Sequence, residues 1–386
     1  MPVEIAEQSV ERTRARSASE AASALWQPRV RLGEPRRGWR QTRLPTPPAL
    51  IFALVLALAA CGGGDAPGDG GGGGTSGTPE AGATAPPPGR FFPDGPWYGD
   101  VTNAALDPRS REVVDWLDGQ GWGTGVMRID FSIEVLEGDE GTPFRAFNPT
   151  EDFFGPDCDL AEVPVPSGGA IEGETGYECF GDGDCHLIVV HRPSLRLFEM
   201  WRADIRSDVF DGGCLAVWDM TRVYGPSGRG EQCTSADAAG FPIAPLLFTA
   251  DEVAGGTIDH AIRFIVPNSH IRADEYVHPA THGTFATSGP PSAPPYGTRL
   301  RLRADFPLES LPNEAARVVA RAMQRYGMFL ADAGQIALTA QSDRFATASW
   351  AGLLHTRDLE AIRPRDFAMI EAGERIPLTL DCVREP

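Results

Sequence analysis

Alternation of apolar and polar positions dominates the chain from about residue 91 onward. In VMRIDFSIEVLE (126–137), Ile129, Phe131, Ile133 and Val135 alternate with Asp130, Ser132 and Glu134. That period of two predicts a half-buried strand. CHLIVV and LRLFEMW flank HRPS and read as a hairpin over 185–201, with Leu195, Leu197, Glu199 and Trp201 on one face of its second arm. CLAVWDM, TIDHAIRFIVP and GTRLRLRADF predict further strands. In the second of these, alternation sets His260 with Ile262 and Phe264, and Arg263 with Asp259 and Ala261 on the other face. In the third, Leu300 and Leu302 oppose Arg299, Arg301 and Arg303.

The period lengthens in LPNEAARVVARAMQRYG (311–327), where Pro312 and Asn313 open a helix and Gly327 closes it. WAGLLHTRDLEAI (350–362) predicts a second helix ending before Pro364. Many short strands with late helices predict a mainly β fold with α (α+β). The expected architecture is an antiparallel β-sandwich, a jelly roll being one form of it, with C-terminal helices packed on it.

A different pattern precedes this region. Residues 50–60, LIFALVLALAA, are an unbroken apolar run. The run is shorter than the about 20 residues of a membrane span and suits the core of a secretory signal. Arg36, Arg37, Arg40 and Arg43 supply the basic flank, and LAAC (Leu58 to Cys61) follows. This order resembles the lipobox of bacterial lipoproteins. The resemblance implies lipidation at Cys61, a membrane anchor through that lipid, and export to the outer membrane or cell surface. The expected division is 1–35, an N-terminal extension with translation starting near residue 30; 36–60, the signal peptide; 61–90, a lipid-anchored Gly/Pro-rich tether; and 91–386, one globular domain. The tether holds nothing that builds a core, and 28 residues of such coil reach about 30 Å.

Charge and cysteine content narrow the partners. The chain has 34 basic and 53 acidic residues, a net charge of −19. Without its first 60 residues it keeps 25 basic and 48 acidic residues. A field of that sign opposes nucleic acid and anionic lipid. Six cysteines remain after Cys61: Cys158, Cys179, Cys185, Cys214, Cys233 and Cys382. An even number in an exported chain predicts up to three disulfides, with Cys214–Cys233 the expected first pair.

Chemistry concentrates between residues 234 and 303, in TSADAAGFPIAP, DHAIRF, VHPATHGTF and YGTRLRLR. Candidate catalytic residues are Asp237, His260, Arg263 and His282, and candidate binding residues are Arg299, Tyr296 and Glu199. Asp237 stands before a Gly-Phe-Pro sequence, so a turn or cap role competes with a site role. His278 and His282 have a metal-ligand spacing, but Pro279 between them and the lack of an H-E-x-x-H motif leave no metal or cofactor expected. Residues 185–334 also resemble a family of secreted bacterial proteins of unassigned activity, carried by the hairpin, SADAAGFPI, DHAIRF, PATHG, GTRLRL and RYGMFLADAG. The resemblance transfers no residue roles.

Two functions fit. One is a surface enzyme acting on polysaccharide. A hydrolase would draw two carboxylates from Glu199, Asp237, Asp259 and Asp332. A lyase would use His260, His282 or Tyr296 with Arg263 or Arg299. Trp97, Tyr98, Trp116, Trp122 and Trp201 offer surfaces for sugar stacking. The other function is a non-catalytic surface module that binds glycan or protein. A serine or cysteine hydrolase is disfavoured, because G-x-S-x-G is absent and the cysteines suit disulfides.

Overall fold

The computed structural model describes residues 85–181 and 183–385. The expected N-terminal extension and signal segment, Cys61 and most of the expected tether fall outside the described residues. The fold is mostly β with few helices, and two sheets carry its core.

The first sheet has six strands: β1 (Ile129–Ile133), β6 (Ile262–Val266), β7 (Arg299–Leu302), β8 (Met328–Ala333), β9 (Leu338–Gln341) and β10 (Phe367–Met369), in the spatial order β1-β9-β6-β8-β7-β10. It is mixed rather than purely antiparallel, since β1 runs parallel to β9 and β6 parallel to β8. The second sheet has four strands: β2 (Val135–Gly138), β3 (Leu187–His191), β4 (Arg196–Met200) and β5 (Leu215–Asp219), in the order β5-β4-β3-β2. The expected single strand over 126–137 is thus two strands, and the chain passes from one sheet to the other at Glu134. The 185–201 hairpin forms as β3 and β4, with Val189 opposite Phe198.

The second sheet is buried on both sides. Ile188, Val190, Leu197, Ala216 and Trp218 join the large core shared with the first sheet. Leu187, Val189, Phe198, Met200 and Leu215 join a smaller core on the far side. Period-two alternation puts Glu199 with Leu197, on the face toward the first sheet.

Helix α1 (Ser110–Gln120), not expected from the sequence, buries Val113, Val114 and Leu117. Trp122, just beyond it, packs edge-on against Phe264 and Phe367. Short α2 (Ala250–Gly255) starts with a capping box between Thr249 and Glu252. Helix α3 (Glu314–Arg325) forms where the pattern predicts it, with Asn313 accepting from Ala316 N–H at 2.8 Å. Residues 350–362 are turns instead of a helix. Gly352 is left-handed there (φ 77°), and Asp358 is held outside a helical ladder, accepting from Asn313 and from the amide of His355.

Three disulfides form: Cys158–Cys214, Cys179–Cys185 and Cys233–Cys382. The expected Cys214–Cys233 pair is replaced, because each partner reaches a strand-remote cysteine. Disulfides at all six positions belong to an oxidising, extracytoplasmic environment. Among the described residues no helix is long and apolar enough to cross a membrane.

Candidate functional site

Arg263 sits mid-strand in β6 with its side chain only 3% exposed. Its Nη2 lies 2.5 Å from Asp237 Oδ1 and 3.7 Å from Asp332 Oδ2, while Nη1 donates to Thr339 Oγ1 at 3.0 Å. A guanidinium this deep needs such partners.

The meeting of Arg263 and Asp332 depends on a β-bulge. Phe264 pairs with Leu330, but the next pair is Ile265 with Asp332, so Ala331 is left out of register. A one-residue slip turns every later side chain to the other face. Asp332 therefore shares the face of Arg263 and Ile265, where unbroken alternation would have sent it to the opposite one. The carbonyl of the bulged Ala331 accepts the amide of Ala239 at 2.9 Å. That bond fastens the Asp237 turn to the sheet. The turn itself is shaped locally: Ser235 Oγ accepts from Asp237 N–H and donates to Phe241 O, and Gly240 is left-handed (φ 80°). Asp237 is thus a turn residue and a site residue at once.

Across β1 and β9, Asp130 pairs with Thr339. Asp130, Thr339, Arg263 and Asp332 consequently form a polar stripe over four adjacent strands. From the second sheet comes Glu199, fully buried, accepting from Trp218 Nε1 (3.0 Å) and the amides of Ile243 (2.9 Å) and Ala244 (2.8 Å). Just before β3, His186 Nδ1 meets Glu172 Oε2 at 2.6 Å, and Nε2 meets Ala236 O at 3.0 Å. Both partners are acceptors, so the ring carries protons on both nitrogens and is an imidazolium. The loop from Glu172 to His186 is closed at its neck by the Glu172 N–H to His186 O bond and clasped by Cys179–Cys185.

The charges drive these groups apart in acidity. Burial raises Asp332 to about 7, with the neighbouring charges of Asp237 and Asp184 adding to it against Arg263. Burial raises Asp237 to about 6 against the pull of Arg263, and raises Glu199 to about 7 against its three donors. Burial would raise Glu172 as well, but the charge and hydrogen bond of His186 prevail and hold it below the usual range. The same pair, against burial, lifts His186 to about 9. Asp332 and Glu172 are the partly open members, at 24% and 19% side-chain exposure, while Asp237 is at 0%.

Tyr296 faces the same charges, its buried hydroxyl set beside Thr284, and Asp237 Oδ2 has no hydrogen-bond partner among the described residues. His282 Nδ1 donates to Ala238 O at 2.8 Å, and burial lowers its pKa. Asp237, Arg263, Tyr296, His282 and Glu199 are therefore gathered around one buried region.

His260 and Arg299 are engaged elsewhere. His260 bonds Glu252 Oε1 at 3.1 Å and Ala261 O at 2.8 Å, tying α2 to the start of β6. Arg299 donates to the carbonyls of Tyr326, Pro96 (3.1 Å) and Gly99 (2.8 Å) and lies over Phe329, a structural clamp whose burial lowers its pKa to about 10. Asp259 faces Arg325 and Tyr326. Trp97 and Trp122, at 2% and 1% exposure, are core residues with no free face for a sugar. His278 binds Glu231 and so parts from His282. Among the described residues no three His, Cys, Asp or Glu side chains are arranged to hold a metal ion.

Sequence reasoning missed Glu172, His186, Asp130, Asp184 and Thr339 as site residues. Only His186 carried a signal, as a histidine opening the apolar strand LIVV. Comparisons with protein-family models, curated proteins and solved structures give no match.

Proposed function

We propose that this chain is an exported lipoprotein, anchored through Cys61, whose folded part hydrolyses glycosidic bonds. The observation that carries the reading is the pair Asp332 and Glu172. Both are partly open and both feel the charge of Arg263, and their acidities are driven in opposite directions. Hydrolysis of a glycoside requires one carboxyl that keeps its proton and one that has lost it. Asp332 is the acid that protonates the leaving oxygen as the C–O bond breaks. Glu172 is the carboxylate that takes a proton from the attacking water. Asp237 never reaches substrate; it is a positioning residue that holds Arg263 and raises Asp332 by its charge. His186 is the matching positioning residue for Glu172.

This arrangement favours hydrolysis over elimination. A lyase needs a cation free to neutralise a uronate, and Arg263 is already engaged by Asp237 and Asp332. The full burial of the Asp237–Arg263 pair also suits a rigid, non-catalytic glycan-binding module. A polysaccharide panel assayed for reducing ends separates the two. The hydrolase reading predicts new reducing ends on at least one glycan, lost in Asp332→Asn and in Glu172→Gln. Tight binding of a glycan without cleavage would establish the module instead. Detergent partitioning of the exported protein, abolished by Cys61→Ser, tests the anchor.

A further inference from the structure

We infer that the glycan taken by this site is acidic, with a uronate carboxylate seated on the guanidinium of Arg128, one ring away from the bond that is cut. The inference rests on the carbohydrate reading above and adds the class of substrate.

The first support is a cation without a partner. Arg128 is partly buried just before β1, and its Nε is sealed from solvent. Among the described residues its guanidinium forms no hydrogen bond and no ion pair. Asp130, two positions on, feels its charge but spends Oδ1 on the amide of Ser132 at 2.9 Å. Arg229, Arg263 and Arg299 are all committed, to Asp159, to Asp237 and to backbone carbonyls. Buried polar groups ordinarily find a partner, and the planar fork of a guanidinium matches a carboxylate.

The second support is placement. Residues 127–130 alternate buried and half-buried, which sets Arg128 on the face of Asp130. Arg128 O accepts from Leu338 N–H at 3.0 Å, and Ile129 pairs with Leu338, so Arg128 stands beside Ala337. Ala337 O accepts from Ile265 N–H at 2.9 Å, and Ile265 pairs with Asp332. Arg128, Ala337, Ile265 and Asp332 thus form one row across the sheet, on the same face as the polar stripe. Its middle is apolar, and Ile265 there is only half-buried. Three strand spacings separate the ends, about 14 Å between backbones. The seat therefore lies beside the reacting ring and not on it. Elimination needs its cation at the reacting ring, so this seat does not serve a lyase.

The seat is also compatible with the chemistry. A bound anion favours the protonated form of nearby carboxyls. Substrate binding thus helps Asp332 keep the proton that hydrolysis uses, while His186 holds Glu172 ionised.

The test is titration calorimetry of the intact protein at pH 6 with oligomers of galacturonate, mannuronate, guluronate and glucuronate, each beside its carboxyl-reduced form. The expected result is binding of at least one uronate oligomer at least about tenfold tighter than its reduced form. Arg128→Gln abolishes that preference and Arg128→Lys keeps part of it. Because Arg128 bonds nothing in the fold, Arg128→Gln should unfold at no lower a urea concentration than the parent. A lowered midpoint would show a structural role and overturn the inference. So would equal or tighter binding of every reduced form, or a uronate preference that survives in Arg128→Gln. New reducing ends from reduced forms alone would overturn it and leave the hydrolase reading intact. The predicted preference without any cleavage would uphold it and remove the hydrolase reading.

Discussion

Two buried histidine–glutamate pairs serve this protein, alike in their bonds and different in their surroundings. His186 bonds Glu172 and the carbonyl of Ala236; His260 bonds Glu252 and the carbonyl of Ala261. Each ring faces two acceptors and is an imidazolium, and each histidine is raised and each glutamate lowered by the other, against burial. The difference lies in what remains of the carboxylate. Glu252 uses its second oxygen on Thr249, capping α2 through both amide and hydroxyl. Glu172 Oε1 accepts from no donor among the described residues. One pair is complete as structure. The other leaves a carboxylate oxygen without a donor, in a group on which Arg263 acts through its charge. An ion pair's chemistry is thus decided by its third partner, and a buried histidine is by itself no sign of a site.

Substituting the glutamates gives the largest contrast. Glu172→Gln should lower the cleavage rate by about 10²- to 10⁴-fold, the usual share of a general acid or base. Glu252→Gln should leave the rate within a few-fold of the parent and act on the α2 cap. Equal rate losses in the two variants would erase the distinction.

Next come the histidines. His186→Ala and His260→Ala each strand a glutamate in a largely buried setting, and each should cost about 3 to 5 kcal/mol of unfolding free energy, read from urea denaturation. The two should match in stability and part in kinetics. In partly active His186→Ala the acid limb of the pH–rate profile should move up, because Glu172 loses the cation that keeps it ionised.

Smallest is the dependence of stability on pH. Asp332 and Glu199 at about 7 and Asp237 at about 6 hold protons more tightly folded than unfolded. Their contribution is full below the ordinary carboxylate range and is lost as pH rises through 6 to 7. His186, raised to about 9, adds a loss of the same sign from its ordinary range up through 9. Glu172 and Glu252 are lowered, so their contribution is lost only as pH falls below the usual glutamate range. Tm should therefore decline from pH 5 to pH 9, less steeply in Asp332→Asn.

The fold class was legible because strand patterns are local signals: β7 alternates, and β3 is a short apolar run buried on both faces. The meaning of the polar positions was not. Asp130 and Arg263 occupy positions that alternation marks as polar, a face that ordinarily meets water. Here that face looks into a buried layer between the sheet and the Asp237 turn. Asp332 was named as a candidate carboxylate, but its orientation was beyond reach for a different reason: it depends on the bulge at Ala331, which no period reveals. Glu172 lies in a loop whose course is set by a disulfide and by the neck bond to His186, both closed in three dimensions. Conversely, His260 drew attention through its place in a strand pattern, although its partner Glu252 stands only eight positions earlier on α2. Pairing within a short stretch should have weighed toward structure.

The central claim is that Asp332 and Glu172 face one site with acidities driven apart. It can be read without substrate, by following the side-chain carboxyl ¹³C resonances of the two residues against pH. The account predicts a midpoint near 7 for Asp332 and one below the usual glutamate range for Glu172, with Asp332 falling toward the ordinary aspartate range in Asp237→Asn. Titration of both residues together in the ordinary carboxylate range would contradict it.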